Sequence, residues 1–419
     1  MSLQTNSFNS VCVIGLGYIG LPTAALLASR GIKVLGVDVN PRVVETISKG
    51  KVHIAEPDLD GLVQKAVSTG NLTVQTQVSP ADAFVIAVPT PLTPAMEPDI
   101  SHVDAAARAV APVLKQGDLI IIESTVPVGT SENIRQLLAG LRPDLQFPHT
   151  GRGGADVNIA YCPERVLPGR ILTELIQNDR CVGGLTTACA RRACALYSVF
   201  LQGKCFETNA RTAEMVKLTE NAFRDVNIAL ANELSMICDK LKIDIWELIE
   251  LANRHPRVNI LQPGPGVGGH CIAIDPLFIV HSAPRQARLI KTAREINKRK
   301  PDFVLNKINQ AMNGKKKHSV ACLGLSFKPN VDDLRNSPAL DIVRKLAEKH
   351  GDRVIAVEPY ISAPPACLQN TGARFMDALS AIDQSDIIAL LVDHRQFGMI
   401  DANQLKSKTI IDTRGLWRD

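Results

Sequence analysis

The N-terminal pattern of strand, glycine turn, helix and strand most constrains how this chain can fold. Apolar residues at 11–14 predict a buried strand, which runs directly into the turn GLGYIG at 15–20. Residues 21–29 favour a helix, and a second apolar run at 34–37 predicts another buried strand that ends at Asp38. This alternation is typical of α/β proteins with a doubly wound parallel sheet.

The turn has the spacing Gly-x-Gly-x-x-Gly, and an acid ends the following strand about 20 residues on. The first glycine permits the turn, the second lets a pyrophosphate approach, and the third lets the helix pack on the strand. Asp38 can accept hydrogen bonds from both ribose hydroxyls and would repel a 2′-phosphate, so the pattern predicts NAD. Arg42 keeps NADP open, and an FAD-type or emptied fold is the other alternative. The predicted cofactor residues of this segment are Gly15, Gly17, Tyr18, Ile19, Gly20, Asp38 and Arg42.

The length of 419 residues predicts two or three domains. Further apolar runs at 83–88 and 119–122 extend the first sheet, and strands return after Ser319. Between them, residues 211–241 contain no glycine or proline and predict a long helix that spans domains or forms a dimer interface. We therefore expect two Rossmann-like domains joined by a central helical domain. The predicted bounds are 1–205 for the NAD domain, 206–312 for the central domain and 313–419 for the C-terminal domain.

Composition excludes several classes of function. No apolar run approaches the roughly 18 residues that span a membrane, and the N-terminus lacks signal-peptide features, so we expect a cytoplasmic protein. The net charge of +5 and the 4% of aromatic residues argue against nucleic-acid binding. The basic clusters at 298–300 and 314–318, on either side of Pro301, are interpreted as solvated linker faces. The 10 cysteines show no CxxC pairs, which argues against a metal site and a disulfide framework.

One cysteine stands out because it ends the glycine-rich stretch PGPGVGGHCIAIDP. A nicotinamide cofactor implies hydride transfer, and the thiol of Cys271 can add to an aldehyde to give a thiohemiacetal. Loss of a second hydride would give a thioester, which hydrolyses to an acid. Asp275 and Pro276 predict an N-cap and first position of a helix, so Cys271 would lie in the turn before it. A tight structural turn with a buried cysteine is the alternative.

Polar residues on the long helix and in one proline-bounded loop are further candidates. Lys217 and Asn221 share a helix face, where a cation and an amide could stabilise an oxyanion; a solvated face is the alternative. Glu164 in YCPERVLPG could activate the water that cleaves a thioester. Oxyanion stabilisation is favoured over a solvated face because the neighbouring polar residues are too many for a helix that must pack well. These residues are Glu220, Arg224, Asp225 and Asn227.

Six segments together resemble the UDP-sugar 6-dehydrogenases: GLGYIG, ESTVPVGT, CPERVLPG, KLTENAFRDVNIALANE, PGVGGHCIAIDP and LGLSFKPNVDDLRNSP. They follow the family's order over essentially the whole chain. The resemblance implies an NAD-dependent enzyme that oxidises a nucleotide sugar twice at C6, to a uronic acid. His270 stands where the UDP-glucose branch usually carries serine, and RVLPG follows Glu164. Both features resemble the branch that acts on UDP-N-acetyl-D-mannosamine.

The same chemistry on UDP-N-acetylglucosamine, UDP-N-acetylgalactosamine or UDP-glucose is an alternative. More distant ones are a single-step hydroxyacid-type dehydrogenase and a non-catalytic NAD-binding protein, neither of which needs Cys271. The resemblance also implies a homodimer through the central helix and a product used for a surface polysaccharide such as enterobacterial common antigen.

Residue roles follow from the resemblance. Cys271 would be the nucleophile, Lys217 and Asn221 would stabilise the oxyanion, and Asp275 would position water or move protons. Glu164 and Thr125 would serve thioester hydrolysis. Thr90, Thr125 and Arg335 would join the NAD site, and Arg254 competes with Arg257 for a substrate role. The implied substrate contacts are Glu164, Val166, Leu167, Lys217, Asn221, Arg257, Gly264, Gly266, Gly268, His270, Lys328 and Arg414.

Overall fold

The computed structural model describes residues 8–149, 154–313 and 318–418. The chain divides into two compact units, Met1–Thr219 with Leu277–Ser282 and Glu220–Pro276 with Ala283–Asp419. Each unit contains a sheet with Rossmann-like parallel pairing, which confirms the predicted fold class. The three-domain bounds stay a prediction. Within the described ranges, no helix combines the length and the apolar character needed to cross a bilayer.

The first unit is built on an eight-stranded sheet. Its strands are β1 (Ser10–Ile14), β2 (Lys33–Val37), β3 (Leu72–Gln75), β4 (Ala83–Ile86), β5 (Leu119–Ile122), β6 (Asn158–Tyr161), β7 (Arg180–Gly184) and β8 (Cys205–Asn209). They are arranged in the order β3-β2-β1-β4-β5-β6-β7-β8, and β6 and β7 pair antiparallel while the other neighbours pair parallel. Every residue of β4 and β5 is buried, as expected where helices cover both faces of a sheet.

Alternate residues of β1 face the two sides of this sheet. Val11 and Val13 belong to one hydrophobic core, and Cys12 and Ile14 belong to the other. The helices that close the cores are α1 (Gly20–Ser29), α2 (Pro41–Ser48), α3 (Leu59–Ser68), α4 (Ser101–Val110), α5 (Thr130–Leu141), α6 (Ile171–Gln177) and α7 (Thr187–Tyr197), followed by the first turns of α8 (Ala210–Leu241).

The second unit contains a parallel five-stranded sheet. Its strands are β9 (Val320–Leu323), β10 (Val354–Val357), β11 (Arg374–Phe375), β12 (Ile387–Leu390) and β13 (Thr409–Asp412), in the order β11-β10-β9-β12-β13. Ser337 caps the helix that follows it, because its Oγ accepts a 3.2 Å hydrogen bond from the Leu340 N–H. Besides the rest of α8, the helices are α9 (Ile245–Asn253), α10 (Asp275–Ser282), α11 (Arg288–Met312), α12 (Pro338–His350), α13 (Ala378–Asp383) and α14 (Ala402–Leu405).

The interpretation of the segment around Pro301 as a linker is wrong, although Lys298 and Arg299 are exposed as expected. Pro301 lies inside α11, and Lys300 is only 4% exposed. The Lys300 ammonium group donates a hydrogen bond to Ser235 Oγ, and burial lowers the pKa of Lys300 to about 8. The apolar residues that follow in α11 are buried in the core of the sheet, and this packing overrides the helix-breaking tendency of proline. Residues 314–317 of the second basic cluster lie outside the described residues.

The prediction that α8 is too polar to pack is also wrong. Asp225 is buried and accepts hydrogen bonds from Arg294 and, at 2.8 Å, from Asn297 of α11. Asn227 donates to the Asn259 carbonyl at 3.1 Å, in the loop after α9. These polar groups therefore serve packing, because each one satisfies a partner on a neighbouring segment.

Candidate active site

The glycine turn after β1 leaves space on its outer side. Gly15 has φ +90° and donates to the Val37 carbonyl at 2.8 Å, which sets the turn. A Cβ on Gly20 would lie 1.8 Å from the Gly15 carbonyl oxygen, so helix α1 can start here only with glycine. A Cβ on Gly17 would meet no atom within 4 Å. This open position at the start of α1 fits the approach of the NAD pyrophosphate.

Asp38 contributes to the shape of the turn as well as to its charge. One carboxylate oxygen accepts a 3.0 Å hydrogen bond from the Leu16 N–H, and the other accepts one of 2.9 Å from the Asn40 N–H. Because the side chain is only half-buried, its remaining lone pairs can reach a ribose. Arg42 is exposed in the first turn of α2, and Tyr18 is 41% exposed.

The loops after β4 and β5 bring two predicted residues together. The Thr90 hydroxyl donates a 2.6 Å hydrogen bond to the Thr125 carbonyl. Ser124, next to it, donates to the Val88 carbonyl at 2.7 Å. Since β1, β4 and β5 are adjacent and parallel, these loops lie at the same edge of the sheet as the glycine turn. Ligands of such sheets bind at this carboxyl edge.

Glu164 and Lys217 also meet within the first unit. The Lys217 ammonium donates a 2.7 Å hydrogen bond to the Glu164 carbonyl and lies 3.6 Å from its carboxylate. The other carboxylate oxygen of Glu164 accepts a hydrogen bond from the Val166 N–H. Leu167 donates its N–H to Glu174 at 2.9 Å, and its side chain is 50% exposed. The structure therefore positions Glu164 through both its backbone and its side chain.

Sequence analysis missed a buried acid next to this loop. Glu123 directly follows the fully apolar strand β5 and is 3% exposed. The signal was present in the quoted segment ESTVPVGT, since a charged residue at the end of a buried parallel strand must have partners inside the protein. Its partners lie far along the chain, on Arg180 and Tyr197.

In the second unit, the candidate nucleophile lies in the turn that leads into α10. The half-buried Cys271 accepts backbone hydrogen bonds from Ile274 and Asp275 at 2.9 and 2.8 Å. Asn221 of α8 donates a 2.5 Å hydrogen bond to the Asp275 carboxylate. Helix α10 begins at Asp275 itself, one residue before the predicted start. The Cys271 turn is therefore attached to α8 through Asp275 and Asn221.

The glycines before Cys271 are required by the chain itself. A Cβ on Gly268 would lie 2.6 Å from the Asn336 carbonyl oxygen and 2.7 Å from the ring of Pro338. Gly266 has φ +152°, and a Cβ there would lie 2.9 Å from Pro338. The backbone of this loop thus lies close against residues 336–338, where α12 begins.

Arg414 lies against the same loop. Its guanidinium donates to the Pro263 carbonyl at 3.2 Å and to Asp393 at 2.8 Å. A Cβ on Gly264 would lie 2.5 Å from the same guanidinium, and the Gly264 N–H donates to Asn232 at 2.9 Å. The predicted substrate residues Gly264 and Arg414 are therefore neighbours.

Two further predicted residues, Arg335 and His270, lie near the same acid, Asp333. Arg335 forms a 2.6 Å ion pair with Asp333. Hydrogen bonds from Arg335 hold the pKa of Asp333 below its usual value, and the charge of nearby His270 contributes in the same direction. Lys328 lies 5.7 Å from the ring centroid of Phe327.

The two competing arginines occupy different positions. Arg254 pairs with Glu250 across one helical turn at 3.2 Å, whereas Arg257 is exposed and its backbone N–H donates a hydrogen bond to His255. An arginine already paired in α9 is less available to a phosphate, so the contacts favour Arg257 over Arg254.

Comparison with known proteins relates most of the chain to a single family of dehydrogenases. Residues 9–201, 211–299 and 321–419 match the NAD binding, central and UDP binding domains of the UDP-glucose/GDP-mannose dehydrogenase family. The chain is 57% identical over 410 residues to an NDP-N-acetyl-D-galactosaminuronic acid dehydrogenase of Ralstonia nicotianae, covering 98% of this chain and 96% of that one. It is 56% identical over 420 residues to a UDP-N-acetyl-D-mannosamine dehydrogenase of Yersinia pestis, covering 98% and 100%. A solved UDP-D-ManNAc dehydrogenase of Pyrococcus horikoshii superposes with a TM-score of 0.86 at 39% identity, covering 98% and 96%.

Proposed function

Because the chain belongs to the UDP-glucose/GDP-mannose dehydrogenase family, whose NAD binding domain it contains, we propose a specific oxidation for it. The substrate is UDP-N-acetyl-D-mannosamine, and the C6 alcohol is oxidised by four electrons to UDP-N-acetyl-D-mannosaminuronate. The relatives named for this sugar, at 53–56% identity over nearly their full length, support the choice. The activated uronate is a donor for an acidic surface polysaccharide.

In this proposal Cys271 carries the covalent chemistry. NAD held at the glycine turn and Asp38 would supply the hydride acceptor, and two NAD molecules per sugar would account for the four electrons. The Cys271 thiolate adds to the C6 aldehyde, and the oxyanion that forms is stabilised by Lys217 and Asn221. After the thioester has formed, Glu164 takes a proton from the attacking water, with Thr125 orienting that water. Asp275 holds the Asn221 amide in place. The C–S bond then breaks, and the sulfur takes up the proton that Glu164 removed from water, which restores the thiol and the Glu164 carboxylate.

The observation that carries the proposal is the set of hydrogen bonds around Asp275. Its N–H donates to the Cys271 carbonyl at 2.8 Å, and its carboxylate accepts from Asn221 at 2.5 Å. Both groups are buried, so the hydrogen bond between them holds the Asn221 amide beside the turn that carries Cys271. The arrangement fixes the amide relative to the backbone of Cys271, and oxyanion stabilisation needs a donor that is held in place in this way.

The remaining predicted residues have binding roles. Thr90, Thr125 and Arg335 belong to the NAD site together with the glycine turn. The loop from Gly264 to Gly268 contacts the sugar with backbone groups, and His270 contacts its acetamido group. Glu164, Val166 and Leu167 lie against the sugar from their own loop. The nucleotide is bound by Arg257, Lys328 and Arg414.

The test is the number of NADH molecules formed per UDP-N-acetylmannosamine consumed, with purified protein and limiting sugar. We expect two NADH per sugar for the wild type and no uronate from Cys271→Ser. Cys367→Ser is the matched control, since Cys367 is an exposed cysteine of the same unit, and it should retain both products. Uronate formed at full rate by Cys271→Ser would exclude the thioester route.

The N-acetylgalactosamine epimer is a second candidate substrate. The Ralstonia relative at 57% identity is named for N-acetylgalactosaminuronic acid, which favours this alternative over a sugar without an acetamido group. Parallel kcat/KM values for UDP-N-acetylmannosamine, UDP-N-acetylgalactosamine, UDP-N-acetylglucosamine and UDP-glucose decide between them. His270→Ser should reduce the preference for acetamido sugars over UDP-glucose, and an unchanged ratio would remove His270 from this role.

We also propose a homodimer through α8. In the second unit, this helix exposes large apolar side chains at Phe223, Leu230 and Ile237, which are 65%, 47% and 45% exposed and recur every seven residues. Such a stripe is typical of a helix that packs on a partner helix. Sedimentation should show a dimer for the wild type and a monomer for Phe223→Asp combined with Leu230→Asp. A dimer that survives this double substitution would place the interface elsewhere.

A further inference from the structure

A buried acid from a distant part of the chain holds the loop that follows Glu164. Glu56 lies shortly before α3 and is 8% exposed. One of its carboxylate oxygens accepts a 2.8 Å hydrogen bond from the Gly169 N–H, and the other accepts one of 2.7 Å from the Ile171 N–H. Glu56 is 113 and 115 positions away from these two residues, so the contact exists only in the folded chain.

The segment that carries Glu56 is itself fixed. Ile54 and Leu59, on either side of Glu56 along the chain, both belong to one hydrophobic core of the first sheet. Ile171, which donates to Glu56, has its side chain in the same core. A carboxylate is a stronger acceptor for backbone N–H groups than a neutral oxygen is. Glu56 therefore attaches the end of the loop to the core through charge-assisted hydrogen bonds.

Packing does not set the shape of this loop, because residues 167–170 are all exposed. Acids bind its backbone instead. Glu164 accepts a hydrogen bond from the Val166 N–H, and Glu174 accepts one of 2.9 Å from the Leu167 N–H. Since the Leu167 side chain is 50% exposed, the loop combines a fixed backbone with an apolar side chain that is open to a ligand.

We propose that Glu56 is a positioning residue that holds this loop in the shape that contacts the sugar of the substrate. The inference rests on the proposed function, in which Val166 and Leu167 lie against the sugar. A loop that is already ordered loses less conformational freedom when a ligand binds, so its order adds to the affinity. Glu56 thus strengthens binding of the sugar without touching it.

The test compares the sugar with the nucleotide in the full-length enzyme. In the proposed function, UDP is bound by Arg257, Lys328 and Arg414, which lie outside this loop, so UDP alone serves as the reference ligand. Glu56→Gln keeps the size of the side chain but replaces one accepting oxygen by an amide NH₂, which cannot accept a hydrogen bond.

We expect Glu56→Gln to raise the KM for UDP-N-acetylmannosamine about 10-fold. The Ki of UDP as a competitive inhibitor should stay at the wild-type value. The kcat should fall by a smaller factor than the KM rises, because Lys217 still binds the Glu164 carbonyl at 2.7 Å. A change in the sugar KM without a change in the UDP Ki is an effect that general loss of stability would not produce.

Glu214 provides a matched control, because it makes the same contact with another loop. Its oxygens accept from the Gly129 N–H at 2.6 Å and the Ser131 N–H at 2.9 Å, and Gly129 has φ +98°, close to the +92° of Gly169. Since Glu214 also accepts from the Ser131 hydroxyl, Glu214→Gln should lower the Tm at least as much as Glu56→Gln does. Only Glu56→Gln should raise the ratio of the sugar KM to the UDP Ki.

Three results would overturn the proposal. These are an unchanged sugar KM in Glu56→Gln, an equal rise of its UDP Ki, and the same rise of the ratio in Glu214→Gln. If Glu56→Gln does not fold, Glu56→Asp keeps the buried charge but draws the oxygens back by one methylene. It should raise the ratio by a smaller factor, and an unchanged ratio in the folded Glu56→Asp enzyme also defeats the proposal.

The wild-type activity keeps this proposal apart from the proposed function. If the wild type forms two NADH per UDP-N-acetylmannosamine while the ratio is unchanged in the Glu56 variants, only the positioning role is lost. If the wild type oxidises no UDP-sugar, the proposed function itself fails.

Discussion

The two sheets place an acid against a backbone turn in the same way, yet only one of the acids remains open to a ligand. In the first unit, the Leu16 N–H donates to Asp38 at 3.0 Å, and Asp38 is half-buried. In the second unit, the Leu325 N–H donates to Glu358 at 2.7 Å, and Glu358 is 3% exposed. The backbone geometry is shared, so the two turns differ in how far the acid is buried.

The burial of Glu358 has an identifiable cause. His394, completely buried, contacts the Glu358 carboxylate at 3.1 Å, and Ser326 donates its N–H to the same oxygen at 3.0 Å. The turn beside it begins with Gly324 at φ +92°, close to the +90° of Gly15. The acid of the second turn is thus already paired with a buried histidine.

The largest effect should come from a glycine that the chain itself requires. Gly20→Ala puts a methyl group 1.8 Å from a backbone oxygen and should lower stability by about 3 kcal/mol or more. Gly324→Ala, in the second turn, forces a left-handed residue against Val392 and should act similarly. Gly17→Ala meets open space, so it should keep the wild-type Tm and weaken NAD binding. Thermal unfolding and NAD titration check all three, and a wild-type Tm for Gly20→Ala would contradict the geometry.

The second expected effect separates the two acids. Asp38→Asn removes the charge that accepts ribose hydroxyls and should raise the Kd for NAD by about 10- to 100-fold. Glu358→Gln should leave that Kd unchanged and lower the Tm instead. Calorimetric titration with NAD measures both variants. Equal losses of NAD affinity in the two variants would mean that the two turns do not differ in their contribution to NAD binding.

The third effect depends on pH. Burial alone would raise the pKa of Glu358, but hydrogen bonds from His394 and from the Leu325 N–H hold it below the ordinary 4.5. The folded-state pKa is thus the lower one, so this stabilisation is present above the unfolded-state pKa and is lost as the pH falls through the folded value. Urea unfolding from pH 6 to pH 3 should show a steeper loss for the wild type than for Glu358→Gln. Parallel curves would contradict the assignment.

The smallest effects concern helix caps in the two units. Asn40 caps α2 by accepting the Arg42 N–H at 3.0 Å, and Ser337 caps α12 in the same manner. Alanine at either position should cost about 1 kcal/mol. Because Ser337 is buried and Asn40 is exposed, the loss should be larger at Ser337. Chemical unfolding of both variants would show whether burial has this effect.

The sequence predicted the first turn well because all its signals are local. Gly15, Gly20 and Asp38 lie within one strand, helix and strand, and the helix at 211–241 was found to within one residue. The second turn was not predicted, because Glu358 acquires its role only through His394, which lies 36 residues away. Long-range contacts of this kind leave no pattern in a single sequence.

The candidate site shows the same difference between local signals and long-range contacts. Lys217 and Asn221 were found from helical spacing, but their partners Glu164 and Asp275 lie 53 and 54 residues away. Lys300 was misjudged because neighbouring charges and Pro301 are typical of a linker, whereas tertiary packing buries it in α11. Local patterns thus located the groups, and only the folded chain showed what holds them.

The contact between Arg414 and the Pro263 carbonyl has a consequence for the order of events during synthesis. The two residues are 151 positions apart, so the loop that carries Cys271 leaves the ribosome long before the arginine that lies against it. At about 5–20 residues per second, the loop waits on the order of ten seconds for its last partner. The loop that leads to Cys271 therefore reaches its final surroundings only when the last strand of the second sheet has been made.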